Sequence, residues 1–92
     1  MNRITTADLQ SRVDDLNRKF HLTDKTRCKL ALNYAYGGVQ VVLKGNNHRK
    51  DGFSGAYSIT DGHDTKRNTL NQLDYYDAKG YVRDTIKRAL KR

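Results

Sequence analysis

The spacing of apolar residues changes period twice along this chain, and that switch restricts the fold more than any other feature of the sequence. From Thr5 to Phe20, Leu9, Val13, Leu16 and Phe20 recur at steps of four, three and four, which sets them on one face of a helix. Thr5 is placed to cap this helix, and Asp8 in its first turn suits the positive end of the helix dipole. Its outer face, with Arg12, Asp14, Asp15, Arg18 and Lys19, is nearly neutral and reads as solvated. From Thr26 to Tyr36 the period falls to two. Cys28, Leu30, Leu32, Tyr34 and Tyr36 take one side, and Arg27, Lys29, Ala31, Asn33 and Ala35 the other, as in a strand. Gly37 and Gly38 supply a turn pair able to take positive φ. Val39, Val41 and Leu43 then alternate with Gln40, Val42 and Lys44, so a β-hairpin is expected.

Beyond the hairpin, Gly45 to Gly52 has no apolar side chain and reads as an exposed loop carrying Arg49 and Lys50. A third strand is predicted over Phe53 to Thr60, with Ala56 or Tyr57 and Ile59 facing inward. Asp61 to Thr65 reads as a turn into a helix cap, followed by an inward stripe of Leu70, Leu73 and one of Tyr75 and Tyr76. Val82, Ile86, Ala89 and Leu90 begin a new stripe whose phase does not continue the previous one, because Asp77 and Asp84 would otherwise face the core. A break near Gly80 follows. The expected fold is α+β, in the order αβββαα: a three-stranded antiparallel sheet packed by an N-terminal helix and a C-terminal helix broken near Gly80.

With 92 residues, 36% of them apolar, and no Trp, the chain can form a thin core over one sheet but has no material for a deep, walled active site. It lacks Pro, low-complexity linkers and internal repeats, so residues 1–92 read as a single domain. Cys28 is the lone cysteine, which rules out an internal disulfide and a Cys-rich metal site; within an alternating stretch it reads as a buried small hydrophobe. No apolar run approaches a spanning helix, and Asp8, Asp14 and Asp15 stand where a signal peptide needs an apolar core. The expected location is therefore inside the cell.

The charge is +8, from 18 Lys and Arg against 10 acids, all of them Asp, and such an excess favours polyanionic partners. Asp61, His63 and Asp64 form the densest group with catalytic or metal-binding side chains, but a capping turn uses the same residue types for backbone reasons. No Glu, no Ser or Cys nucleophile in a recognisable setting and no phosphate-binding glycine loop is present. No catalytic, cofactor or metal site is expected. Binding surfaces are better supported. Lys66 and Arg67 put two cations at a helix start, where free amides attract phosphate, although they also read as ordinary solvated residues. Lys79, Arg83, Lys87, Arg88, Lys91 and Arg92 share the last 14 residues with one acid, Asp84. Arg83, Lys87 and Lys91, four apart, form a basic ridge. A basic helix end is also favourable against the dipole and can serve solubility alone. Tyr36, beside the Gly-Gly turn, and Tyr75 or Tyr81 can expose their rings, whereas Tyr34 and Tyr57 read as packing residues. The candidate contacts for nucleic acid or a protein partner are thus Arg49, Lys50, Lys66, Arg67, Lys79, Arg83, Lys87, Arg88, Lys91 and Tyr36.

Leu9-Gln-Ser-Arg-Val-Asp-Asp-Leu-Asn17, Tyr34-Ala-Tyr-Gly-Gly-Val39, Thr65-Lys-Arg-Asn-Thr-Leu70 and Tyr76-Asp-Ala-Lys-Gly80 together resemble the small uncharacterised proteins carried by tailed phages and prophages. The likeness covers about two thirds of the chain, and the basic tail after Gly80 extends beyond it. It brings no catalytic residues. What it implies is a stoichiometric inhibitor of a host machine, as anti-CRISPR proteins inhibit surveillance complexes by occupying their nucleic-acid path. The partner would then be a host protein or ribonucleoprotein complex, including its guide RNA. The alternative is an autonomous DNA- or RNA-binding domain with a regulatory role. The αβββα order is shared with double-stranded RNA-binding domains, but the lysine and alanine pattern of their last helix is missing.

Overall fold

The computed structural model describes residues 4–46, 50 and 55–91. The first helix, α1 (Thr6–Lys19), begins at a capping box: the Thr5 hydroxyl accepts the Asp8 amide at 3.1 Å and the Asp8 carboxylate accepts the Thr5 amide at 2.9 Å. Leu9, Val13 and Leu16 are fully buried, as their spacing requires, and Phe20 packs on the edge of the core.

Strands β1 (Cys28–Ala35), β2 (Gly38–Gly45) and β3 (Ala56–Ser58) form an antiparallel sheet in the order β1-β2-β3. The chain then makes α2 (Lys66–Ala78) and α3 (Tyr81–Leu90), which completes the α+β order αβββαα. Helix α1 lies against β1, α2 against β2, and α3 packs on α2. The core fills the space between these helices and the sheet face carrying Cys28, Leu30, Val41 and Leu43, where Leu16, Leu73, Val82, Ile86 and Ala89 meet it. No helix among the described residues is long and apolar enough to cross a membrane.

Several local expectations change. The hairpin loop is Tyr36-Gly37, not Gly37-Gly38: φ is 55° at Tyr36 and 74° at Gly37, while Gly38 already pairs with Ala35. Two positive φ values are what a two-residue type I′ loop demands. Gly38 is needed for a different reason. A Cβ there would stand 2.9 Å from the Asp64 amide nitrogen, because the residues leading into α2 pair with the start of β2. Val39 N–H donates to the Asp64 carbonyl at 2.8 Å, Asp64 N–H returns a bond at 3.0 Å, and the buried Thr69 hydroxyl also donates to the Val39 carbonyl. Thr69 therefore takes the inward position expected of Leu70, which is half-buried.

The strands are also shorter than their sequence patterns. β1 omits Thr26, Arg27 and Tyr36, and β3 retains three residues of the expected eight-residue run, of which Phe53 lies outside the described residues. Tyr57 packs on the core and Ile59 is buried, whereas Ala56 is exposed. Tyr34 is 51% exposed, against its expected packing role, because the cover given by α1 fades towards the hairpin tip. Gly80, at φ 82°, separates α2 from α3 where the break was predicted; Val82, Ile86 and Ala89 point inward, while Leu90 is exposed.

An amide clip secures the edge strand. Asn17, buried near the end of α1, donates to the Leu30 carbonyl at 3.0 Å and accepts the Leu30 amide at 2.8 Å. One side chain thus supplies the donor and acceptor that a further strand would have offered at that point of β1.

Candidate nucleic-acid interface

Helix α3 owes its orientation to Val82, Thr85, Ile86 and Ala89, which are buried and fix which side faces out. Arg83, Lys87, Arg88 and Lys91 are consequently exposed. Asp84 is the one acid on the helix, 3.8 Å from the Arg83 guanidinium, and both side chains are well solvated. Among the described residues Lys87, Arg88 and Lys91 make no ion pair. The last-turn cations Lys87 and Arg88 are favourably placed against the helix dipole, so the helix tolerates the cluster without neutralising it. At the same end the Arg27 guanidinium donates to the Leu90 carbonyl and adds another cation to the region.

Asp74, Asp77, Asp15 and Asp24 are engaged away from this face. Arg12 bonds Asp74 at 2.8 Å and Asp77 at 3.3 Å, and Lys19 reaches Asp77 at 3.3 Å, which joins α1 to α2. The seam stabilises the Arg12 charge against its partial burial, and its guanidinium titrates above its ordinary value. Asp15 pairs with Arg18 on the same helix, and Asp24 pairs with Lys29 at 2.6 Å, which holds the Asp24 carboxyl below its usual range. The Thr5 amide, followed by the Thr5 hydroxyl network, lowers Asp8 in the same direction. These pairs lie on α1, α2 and the turn before β1.

A second basic group lies at the hairpin tip. Lys66 and Arg67 open α2, where the Thr65 hydroxyl accepts the Asn68 amide as the cap. With Tyr34, Gly37, Gly38 and Asp64 they line a cleft of about 720 Å³ between the hairpin and the helix start. Tyr36, between the lining residues Ala35 and Gly37 in the chain, is 96% exposed, its ring meeting His63 edge-on at 5.5 Å between centroids. The α3 end lies by Arg27, just before β1, and the cleft lies by Tyr34 and Ala35, at its other end. An eight-residue strand separates the two groups by about 25 Å.

The predicted contact residues thus fall into separate places. Arg83, Lys87 and Arg88 share α3, with Lys91 as its C-cap, and Tyr36, Lys66 and Arg67 share the hairpin end. Lys79 stands at the end of α2 with its ammonium 5.5 Å from the centre of the Tyr75 ring. Lys50 is exposed, and Arg49 lies outside the described residues. The Asp61 and Asp64 carboxylates are engaged by separate partners. Asp61 accepts the Tyr76 hydroxyl at 3.0 Å, and Asp64 accepts the Thr65 amide and the Asn68 side chain. The Asp61 bond raises the Tyr76 phenol above its ordinary value. Among the described residues no three His, Cys or Asp side chains gather to hold a metal ion. Cys28 is buried, and that burial pushes its thiol up, away from the reactive thiolate. The sequence reading missed the Arg12–Asp74–Asp77–Lys19 seam and the exposure of Tyr34. A signal for the seam was present: Arg12 and Lys19 are seven apart and Asp74 and Asp77 three apart, each pair on one helix face.

Comparison with protein-family models, curated proteins and solved structures returned no match.

Proposed function

We propose that this protein acts by binding rather than by catalysis, laying the cationic face of α3 against the phosphates of a nucleic-acid-bearing host complex and obstructing that complex's nucleic-acid path. The observation that carries the reading is the unbalanced charge of α3 and its C-cap, where Lys87, Arg88 and Lys91 project without an ion pair among the described residues, while Asp74 and Asp77 serve the α1–α2 seam and Asp15 and Asp24 pair on α1 and before β1. Cations arranged along one exposed ridge suit a phosphate backbone, and contact releases the counterions condensed on it. The overall +8 charge adds long-range attraction to the same class of partner. The resemblance to small phage and prophage proteins supports a narrower reading: a phage-encoded inhibitor of a host defence complex, with a CRISPR surveillance complex and its guide RNA as the candidate target.

The test is affinity capture from a bacterial lysate containing such a complex, with and without nuclease. A defined set of host proteins that survives nuclease is the expected result and identifies the target. Recovery of nucleic acid alone, lost on nuclease treatment, would overturn the inhibitor reading in favour of an autonomous DNA- or RNA-binding domain.

A further inference from the structure

We propose that the cleft between the hairpin tip and the start of α2 binds single-stranded nucleic acid, with bases stacked on Tyr36 and Tyr34 and backbone phosphates held by Lys66 and Arg67. The assignment rests on reading the protein as a partner of nucleic acid, and it adds a site remote from α3 with different chemistry.

Tyr36 is the central observation. It occupies the first position of a two-residue hairpin loop at φ 55°, where Asn, Asp or Gly is the residue of choice. A bulky side chain in the left-handed region is an outlier, because its Cβ crowds the following carbonyl. Burial of the ring does not compensate for this, since Tyr36 is 96% exposed and meets only the edge of His63 among the ring contacts described. Beyond this one edge contact, burial gives no reason for Tyr at this position. A strained residue displaying an open aromatic face is what a ligand-stacking role requires. Tyr34, 51% exposed on the neighbouring turn of the strand pattern, lines the cleft and offers a second ring.

The electrostatics of the cleft select the ligand. Lys66 and Arg67 line it, and among the described residues Lys66 makes no ion pair. Asp64, the acid in the lining, has its carboxylate engaged by the Thr65 amide at 2.7 Å and the Asn68 side-chain amide at 3.1 Å. Aromatic faces beside cations are the elements with which proteins hold single strands: every base has a face to stack, and each phosphate needs a positive charge. A duplex keeps its base faces inside the helix and cannot use the tyrosines in this way.

Tyr36→Asn gives a test in which loss of folding does not confuse the answer. It creates the Asn-Gly pair that this loop geometry prefers, so the melting temperature should rise, by on the order of 5 °C. Binding is read by fluorescence anisotropy of labelled oligouridine and oligothymidine of about 12 nucleotides and of an RNA duplex of matching length, a span chosen to cover one small domain. The full chain should prefer the single strands. Tyr36→Asn should weaken them roughly 5- to 100-fold, with the salt slope unchanged, and Tyr36→Phe should retain wild-type affinity. Lys66→Glu should lower both affinity and salt slope. An unchanged affinity in Tyr36→Asn, equal binding of duplex and single strand, or no binding of the oligonucleotides overturns the proposal. So does a nuclease-resistant protein complex whose capture needs Tyr36, because the cleft would then hold protein. The triple charge reversal of Lys87, Arg88 and Lys91 separates this outcome from that for α3. If it abolishes capture while Tyr36→Asn changes nothing, the α3 reading stands and the cleft proposal falls.

Discussion

Replacing Asn17 with Leu should cost this domain a large share of its stability. The Asn17 amide gives the buried Leu30 peptide groups their partners on the free side of β1, through bonds of 3.0 and 2.8 Å. Leu has similar bulk and keeps the helix, but it can neither donate nor accept, so the substitution leaves one N–H and one C=O facing an apolar side chain. Each orphaned group costs about 1–3 kcal/mol, giving a total of about 2–6 kcal/mol against a typical domain stability of about 5–15 kcal/mol. Leu30 is 1% exposed and Asn17 8%, which leaves water little access to restore the bonds. Urea denaturation followed by far-ultraviolet circular dichroism measures the difference, and a loss of this size lowers the melting temperature by roughly 10 °C or more. Asn17→Asp retains an acceptor for the Leu30 amide but loses the donor to its carbonyl, so its carboxylate meets a carbonyl oxygen and it should also be destabilised. A loss below about 1 kcal/mol for Asn17→Leu would refute the reasoning, because the two bonds would then add less than one ordinary hydrogen bond.

Gly38→Ala should destabilise by about 1–3 kcal/mol, since the new Cβ meets backbone atoms of His63 and Asp64 at 2.9–3.0 Å and must push the α2 lead-in off β2; thermal unfolding reads the loss. Gly80→Ala should cost about 1–2 kcal/mol for a different reason, its φ of 82°, and the midpoint of urea unfolding should fall accordingly. The Asp8 carboxyl is lowered in the folded chain by the Thr5 amide and hydroxyl, so its stabilising effect is present above the ordinary value of 3.8 and is lost as pH falls through the lowered folded value. A melting-temperature difference between wild type and Asp8→Asn should therefore be seen near neutrality and close in strong acid.

Much of the fold was legible because its strongest signals are local. The Leu9–Val13–Leu16 stripe, the alternation through Cys28 and Leu30, and the phase change at Gly80 each sit within a single element. What escaped depended on residues far apart in the chain. Gly38 looked like a turn residue because nothing near it announces that Asp64 packs against it. Asn17 reads as one more polar residue on a helix, and its partner is a backbone group that no side-chain pattern reveals. The α3 cations were legible as a cluster because helical spacing alone places them together. Their distance from Lys66 and Arg67 follows from the path of β1, so the sequence could not tell one surface from two. Tyr34 was misjudged because strand alternation gives the face a residue lies on, but not how far along the strand the helices extend their cover.

The central claim, that α3 meets phosphate, is tested most directly by titrating the ¹⁵N-labelled full chain with a short RNA duplex and following each backbone amide by NMR. The account predicts concerted, salt-sensitive shifts at Arg83, Lys87, Arg88 and Lys91, detectable even if free RNA binds weakly, and their loss when Lys87, Arg88 and Lys91 are reversed to Glu in a chain that remains folded. Shifts confined to the outer sheet face around Lys29 and Lys44, or no shifts at low salt, would contradict it.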